Sequence, residues 1–202
     1  MRIIFATGNK NKLREVTEIM KGTEYDIITA AEAGIDVAPE EKGNSFEDNA
    51  LIKARAVFEA SDKTSVVLAD DSGLCIDCMG GETGELGIHS ARFMGHDTSY
   101  DIKNREILKR LSGIPDDERG ARFVCAVAAV TPSGREIVIR ETMEGRIAHE
   151  AAGKNGFGYD PVFYLPEFMM TSAEISSESK NLISHRGKAF RHMRAVLTEG
   201  NV

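Results

Sequence analysis

The sequence predicts an α/β fold: a mixed, twisted β-sheet flanked by helices. Two observations predict it. In the first half of the chain, short apolar runs alternate with amphipathic helical patterns, the order that gives parallel strands joined by crossover helices. In the second half, the apolar runs 123–131 and 136–143 are joined by Pro132-Ser133-Gly134, a hairpin signal that adds antiparallel pairing. The 202 residues carry no internal repeat, low-complexity tract or compositional break, so 1–202 reads as one domain, or as two closely joined lobes.

Composition narrows the function classes. Hydrophobic residues make up 42% and charged residues 28%, the proportions of a globular protein. The apolar run Val124–Val130 is too short to cross a bilayer, and Met1–Ala6 meets Thr7-Gly8-Asn9 without the apolar core of a signal peptide, so the expectation is a cytoplasmic protein with no membrane partner. A net charge of -7 argues against a polymeric nucleic acid as partner but leaves room for a small phosphate ligand held by local cations.

Ile3–Ala6 reads as a buried strand, followed by the turn Thr7-Gly8-Asn9-Lys10-Asn11-Lys12 and a helix with Leu13, Val16, Ile19 and Met20 on its apolar face. Free N–H groups at the helix start, with Lys10, Lys12 and Arg14, make an anion site, although the spacing is not that of a Walker loop. Tyr25–Thr29 is a second strand and Pro39-Glu40-Glu41-Lys42-Gly43-Asn44 a polar turn. Ser45 with Asp48 resembles a capping box, opening a helix whose stripe is Phe46, Ala50, Ala54, Val57 and Phe58, bordered by Asn49 and Lys53. A lysine in that position ordinarily snorkels to solvent.

Ser65–Ala69 is the next strand, and Asp70-Asp71-Ser72-Gly73 falls where it would emerge into a turn. Two adjacent carboxylates at a sheet margin need positive company, which points to a divalent cation; an Asp-Ser-Gly turn is the bland alternative. Leu74–Met79 is again strand-like. It carries Cys75 and Cys78 on opposite sides as small apolar residues, since Cys125 is the one further cysteine and no histidine pair completes a zinc site. Gly80–Gly87 reads as a mobile loop closed by Ser90-Ala91-Arg92, and Thr98 with Asp101 as the cap of a helix that buries Tyr100, Ile107, Leu108 and Leu111.

Beyond the hairpin, Gly153–Pro161 sets Phe157 and Tyr159 among Gly153, Gly156 and Gly158, so that backbone can approach a ligand while an aromatic face lies against it. Val162–Leu165 resumes a strand. The last segment carries Lys180, His185, Arg186, Lys188, Arg191 and Arg194, with Phe190, Met193, Val196 and Leu197 as its apolar stripe; its basic face is either solvated or ligand-binding.

A single ligand, a nucleoside triphosphate, would account for all of these features. The ordered motifs Thr7-Gly8-Asn9 with Lys12, Ser45-Phe46-Glu47-Asp48-Asn49-Ala50 with Lys53-Ala54, Asp70-Asp71-Ser72-Gly73-Leu74, Ser90-Ala91-Arg92, Gly156-Phe157-Gly158-Tyr159-Asp160-Pro161, Lys180 and Ser184-His185-Arg186 resemble the inosine triphosphate pyrophosphatase family. Its members, also called Ham1-like or RdgB-like, act on noncanonical purine nucleotides. The resemblance implies two lobes with the active-site cleft between them, a homodimer, and Mg2+-dependent hydrolysis of ITP, dITP or XTP to the monophosphate and pyrophosphate.

It further implies Asp71 as proton acceptor and metal contact, with Asp70 beside it, Lys53 near the phosphates, and either Glu40 or Glu41 as a second metal ligand. By the same resemblance Thr7, Gly8, Asn9, Lys10, Asn11, Lys12 and Ser72 would hold substrate, and Phe157, Gly158, Tyr159, Asp160, Lys180, His185 and Arg186 the nucleoside. Hypoxanthine and xanthine present an acceptor oxygen at position six; adenine presents an amino donor there and would leave protein donors unpaired, at ~1–3 kcal/mol each. The chain departs from the family at Gly80–His89, where relatives read Gly-Gly-x-Pro-Gly: Leu86 stands for the proline and three residues are inserted. A nucleotide sensor without hydrolysis is one rival reading. An aspartyl phosphomonoesterase is another, disfavoured by Ser72 where a D-x-D pattern would need an acid.

Overall fold

The structure, a computed structural model, describes residues 2–199. In chain order it comprises β1 (Arg2–Phe5), α1 (Lys10–Ile19), β2 (Asp26–Thr29), α2 (Phe46–Ala60), β3 (Val66–Ile76), α3 (Tyr100–Arg110), β4 (Gly120–Val130), β5 (Glu136–Ile147), β6 (Phe163–Leu165), β7 (Met170–Thr171), α4 (Ser177–Ile183) and α5 (His185–Glu199), with short 3-10 turns between them. The strands form one open sheet in the order β2-β1-β3-β4-β5-β6-β7. Pairing is parallel at the start, with Ile3 opposite both Ile27 and Val66, and antiparallel at the end, with Tyr164 opposite both Arg146 and Thr171. The mixed sheet expected from the sequence is thus present.

The chain divides into two compact units. The first holds residues 2–71, 125–141 and 185–199 of those described, and its core joins Ile3, Phe5, Val66 and Leu68 of the strands to Val16 of α1, to Met20 at that helix's C-terminal cap, and to Phe190, Met193 and Leu197 of α5. The rings of Phe5 and Phe190 pack T-shaped, 5.5 Å apart between centroids. The second unit holds 72–124 and 142–184, with a core of Leu74, Ile76, Leu86, Phe93, Ile107, Leu111, Phe163 and Ile175 among others. No helix among the described residues is long and apolar enough to cross a membrane.

Four local expectations need correction. Asp70-Asp71 does not end a strand: β3 runs unbroken from Val66 to Ile76, because it lies between β1 and β4 and its acids meet cations in place. The 80–87 segment is not a loose loop; 3-10 turns at Gly81–Thr83 and Gly87–His89 flank Leu86, which is 1% exposed in the second core. Thr98 does not cap α3. Its hydroxyl donates to the Met94 carbonyl at 2.7 Å, and the helix starts behind Ser99 with no side-chain cap, leaving Tyr100 exposed while Lys103 and Asn104 turn inward. Cys78 lies exposed in the turn Asp77–Met79 after β3, whereas Cys75 is buried within the strand.

Candidate active site

Successive residues of a strand face opposite sides of its sheet, so β3 delivers its adjacent acids to different neighbours. Asp70 faces α1 and α5. Its Oδ2 lies 2.9 Å from Lys12 Nζ, 3.5 Å from Arg186 Nε and 4.0 Å from Cys125 Sγ. Burial alone would raise the pKa of Asp70, but Lys12, Arg186 and Lys53 together outweigh it and hold the carboxyl well below the usual range. Asp70 is a fixed anion.

Asp71 faces α2. Asn49 Nδ2 donates to its Oδ2 at 3.1 Å and Lys53 Nζ to its Oδ1 at 3.3 Å. Here burial prevails over the lysines and pushes the Asp71 pKa up, so this carboxyl takes a proton more readily than its neighbour. α2 can present both partners because Ser45 Oγ accepts the Asp48 N–H at 3.1 Å and fixes its first turn, so that positions 49 and 53, one helical turn apart, share a face. Lys53 does not snorkel away: its Nζ also meets Glu41 Oε1 at 3.0 Å, and although burial opposes its charge, Asp71, Asp70 and Glu41 raise its pKa.

Glu41 therefore joins the acid–lysine centre, while Glu40 pairs with Lys42 at 2.8 Å with its side chain 76% exposed. In the turn before α1, Asn9 Oδ1 accepts the N–H groups of Asn11 at 2.9 Å and Lys12 at 3.2 Å, and Thr7 Oγ1 accepts that of Asn9. Gly8, Asn9 and Lys10 are exposed; Thr7, Asn11 and Lys12 are half-buried. Arg186 lies in this same unit, its Nη1 2.6 Å from Glu15 Oε2, and His185 beside it is buried. Ser72, which opens the second unit, is half-buried.

The second unit builds a separate polar knot around the glycine-aromatic loop. Asp160 Oδ2 accepts the Phe157 N–H at 2.8 Å and sits 2.6 Å from Lys180 Nζ, while its Oδ1 accepts Ser172 Oγ at 3.0 Å. The Lys180 ammonium lies over the half-buried Phe157 ring at 5.2 Å from its centroid. Gly156, at φ +72°, makes the bend possible, since a Cβ there would fall 2.1 Å from Asp160 Oδ2. Tyr159 is buried and its hydroxyl donates to the Ser90 carbonyl at 2.6 Å.

The donor set fits a hard cation. Asp71 and Glu41 offer carboxylate oxygens on either side of Lys53, and Mg2+ takes one or two protein carboxylates and completes its shell with water and phosphate. Among the described residues no group of three or more histidine, cysteine or acidic side chains forms a closed metal cage. Sequence reasoning left Asn49 without a role and missed Glu15 and Ser172. Glu15 carried no signal in the sequence: it is 7% exposed in the structure, and the cation that makes its burial tolerable, Arg186, lies far along the chain.

Fold and site define a class: α/β proteins that carry an acid–lysine centre on an inner strand of a mixed sheet. The chain belongs to the Ham1 family, whose sequence model matches residues 3–196. It is 42% identical over 197 residues to the dITP/XTP pyrophosphatase of Desulforamulus reducens, covering 98% of this chain and 96% of that one. Over 201 residues it is 43% identical to the dITP/XTP pyrophosphatase of Listeria monocytogenes, covering 98% and 95%. Among solved structures it resembles the Ham1 protein of Staphylococcus aureus, with a TM-score of 0.85, 36% identity and full coverage of both chains. The HAM1 protein of Coxiella burnetii aligns with a TM-score of 0.86 at 36% identity, covering 98% and 99%.

Proposed function

We propose that the protein hydrolyses the noncanonical purine nucleotides ITP, dITP and XTP to the nucleoside monophosphate and pyrophosphate. The observation that carries this reading is the unequal company of the two acids of β3: Asp70 is paired with Lys12 and Arg186, while Asp71 stands beside Asn49 and Lys53, with Glu41 on the same lysine. A hydrolase needs such a division, with one group fixing charge and another able to accept a proton.

In this mechanism Asp71 takes a proton from water as the water oxygen bonds to the α-phosphorus; the bond from that phosphorus to the bridging oxygen breaks and pyrophosphate leaves with the electron pair. Asn49 orients the accepting carboxylate through its 3.1 Å hydrogen bond. Lys53 and Lys12 meet the negative charge of the phosphates, with Thr7, Gly8, Asn9, Lys10, Asn11 and Ser72 contributing to the grip. Asp71 with Glu41 would hold Mg2+, which when bound neutralises the polyphosphate and lowers the pKa of water. The exposed pairing of Glu40 with Lys42 supports Glu41 as the second acid. Asp70 tethers Lys12 and Arg186 and does not itself move a proton.

Phe157, Gly158, Tyr159 and Asp160, with Lys180, would hold the purine, the ring of Phe157 stacking on it. Lysine and backbone N–H donors match the acceptor oxygen at position six of hypoxanthine and xanthine and mismatch the amino group of adenine. His185 and Arg186 complete the nucleotide contacts. The enzyme would act as a homodimer in the cytoplasm, on the free nucleotide pool. The deciding experiment is turnover of a panel of purine triphosphates with product identification, with and without added Mg2+. Pyrophosphate from dITP and XTP, far exceeding that from dATP, is the expected result; orthophosphate would favour a phosphomonoesterase, and binding without turnover a sensor.

A further inference from the structure

We propose that Asn104 is the positioning residue that sets the purine selectivity of the 156–160 loop, an inference that rests on that loop holding the base. Asn104 lies on the inward face of α3 and is 4% exposed. Its Nδ2 donates to the carbonyl of Gly158 at 3.0 Å. A carbonyl only accepts, so this contact fixes which way the amide points. The amide oxygen, directed elsewhere, is buried with no hydrogen-bond partner among the described residues. An unmatched buried acceptor costs about 1–3 kcal/mol, so packing alone would favour an apolar side chain here, as at Ile107 on the same face.

The surroundings show what the amide braces. Lys103, the preceding residue of α3, is 1% exposed and its Nζ donates to the Ala91 carbonyl at 2.8 Å. The Tyr100 ring stands edge-on to Tyr159 at 5.1 Å between centroids, and Tyr159 in turn donates to the Ser90 carbonyl at 2.6 Å. One helical turn of α3 therefore clamps the 90–91 segment and the middle of the glycine-aromatic loop together. Of these contacts, the Asn104 amide alone grips the loop backbone between Phe157 and Asp160. With Gly158 at φ +70° the peptide there has few steric restraints of its own, and the hydrogen bond supplies one. Holding that carbonyl fixes the orientation of the adjoining N–H groups, on which discrimination between an acceptor and a donor at position six depends.

The test compares the parent with Asn104→Asp and Asn104→Ala in the full chain, reading kcat/KM on dITP and dATP, inhibition by pyrophosphate, and Tm. Asn104→Asp sets a carboxylate against the Gly158 carbonyl. It is expected to lower kcat/KM for dITP about tenfold and that for dATP less than about twofold, with pyrophosphate inhibition unchanged. Asn104→Ala shifts the same ratio less, and decides the matter if the aspartate variant does not fold. Equal losses on both substrates, or weakened inhibition by pyrophosphate, would mark a general structural role and overturn the proposal. Phe157→Ala serves as the reference. If it lowers kcat/KM on both substrates and neither Asn104 variant shifts the dITP to dATP ratio, the inference about Asn104 fails alone; if it leaves kcat/KM on both unchanged, the loop does not hold the base and both readings fall.

Discussion

The neighbouring acids of β3 are predicted to respond to neutralisation with unequal losses of stability. Asp70→Asn removes the anion from a site where its side chain is 1% exposed, 2.9 Å from Lys12 and 3.5 Å from Arg186. Breaking a buried ion pair from one side costs ~3–5 kcal/mol. Two features lower that figure: Lys12 is 16% exposed and can turn to water, and Arg186 keeps Glu15 at 2.6 Å. The expected loss is therefore about 2–3 kcal/mol. Asp71→Asn costs less, since it removes a carboxylate whose charged form burial disfavours, although the single oxygen of the new amide can accept from Lys53 or from Asn49 but not from both; turnover falls ~10²–10⁴-fold.

The pH dependence separates the two further. The Asp70 pKa lies below its unfolded value of 3.8, so its contribution is complete above pH 3.8 and is lost as pH falls through the folded value. The Asp71 pKa lies above 3.8, so its burden on the folded state is present at neutral pH and is relieved as pH falls through the raised value. Urea denaturation of the parent and both variants from pH 7 down to about pH 2 reads both effects, the Asp70→Asn protein showing the flatter limb below pH 3.8. Should Asp71→Asn prove as destabilising at pH 7 as Asp70→Asn, the division of labour between the acids would be refuted.

Chelation of divalent cations is expected to abolish dITP turnover, and added Mg2+ to restore it, leaving the far-ultraviolet circular dichroism unchanged, since the described residues fold into a complete sheet around lysine–acid pairs. Arg119 is 1% exposed and donates to the carbonyls of Leu111 at 2.6 Å, Ile147 at 2.8 Å and Ala148 at 2.6 Å. Arg119→Lys offers a point charge for a planar fork and is expected to lower unfolding free energy by ~3 kcal/mol, measured by urea denaturation. Leu86→Ala, in the inserted segment, is expected to cost ~2–4 kcal/mol while kcat on dITP at low temperature stays within about twofold of the parent. Gly87→Ala is excluded as a neutral control, because at φ +51° a Cβ would meet the Glu82 carbonyl oxygen at 1.8 Å.

What the sequence disclosed follows from the range over which each signal acts. Apolar period and turn chemistry are local, so the alternation of strands and helices, the mixed sheet and the stripe of α2 are legible in the sequence. Ion pairing across the chain is not local: Arg186 meets Glu15 from 171 positions away, and nothing near either residue announces the other. Reading Asp70-Asp71 as a turn failed for the same reason. An isolated strand would expel both carboxylates, whereas Lys12, Lys53 and Arg186, arriving from three helices, make an inner-strand position tolerable. The motif residues were identified through resemblance, yet their unequal surroundings come from pleat geometry, since one residue of offset along β3 sends one acid between Lys12 and Arg186 and the other beside Asn49 and Lys53, where Glu41 opposes its charge. A chain in which Asp70 and Asp71 exchanged surroundings would keep its motif and lose the base proposed at Asp71. The roles proposed for the two acids therefore rest on which face each occupies, a property that register in the sheet determines and composition cannot.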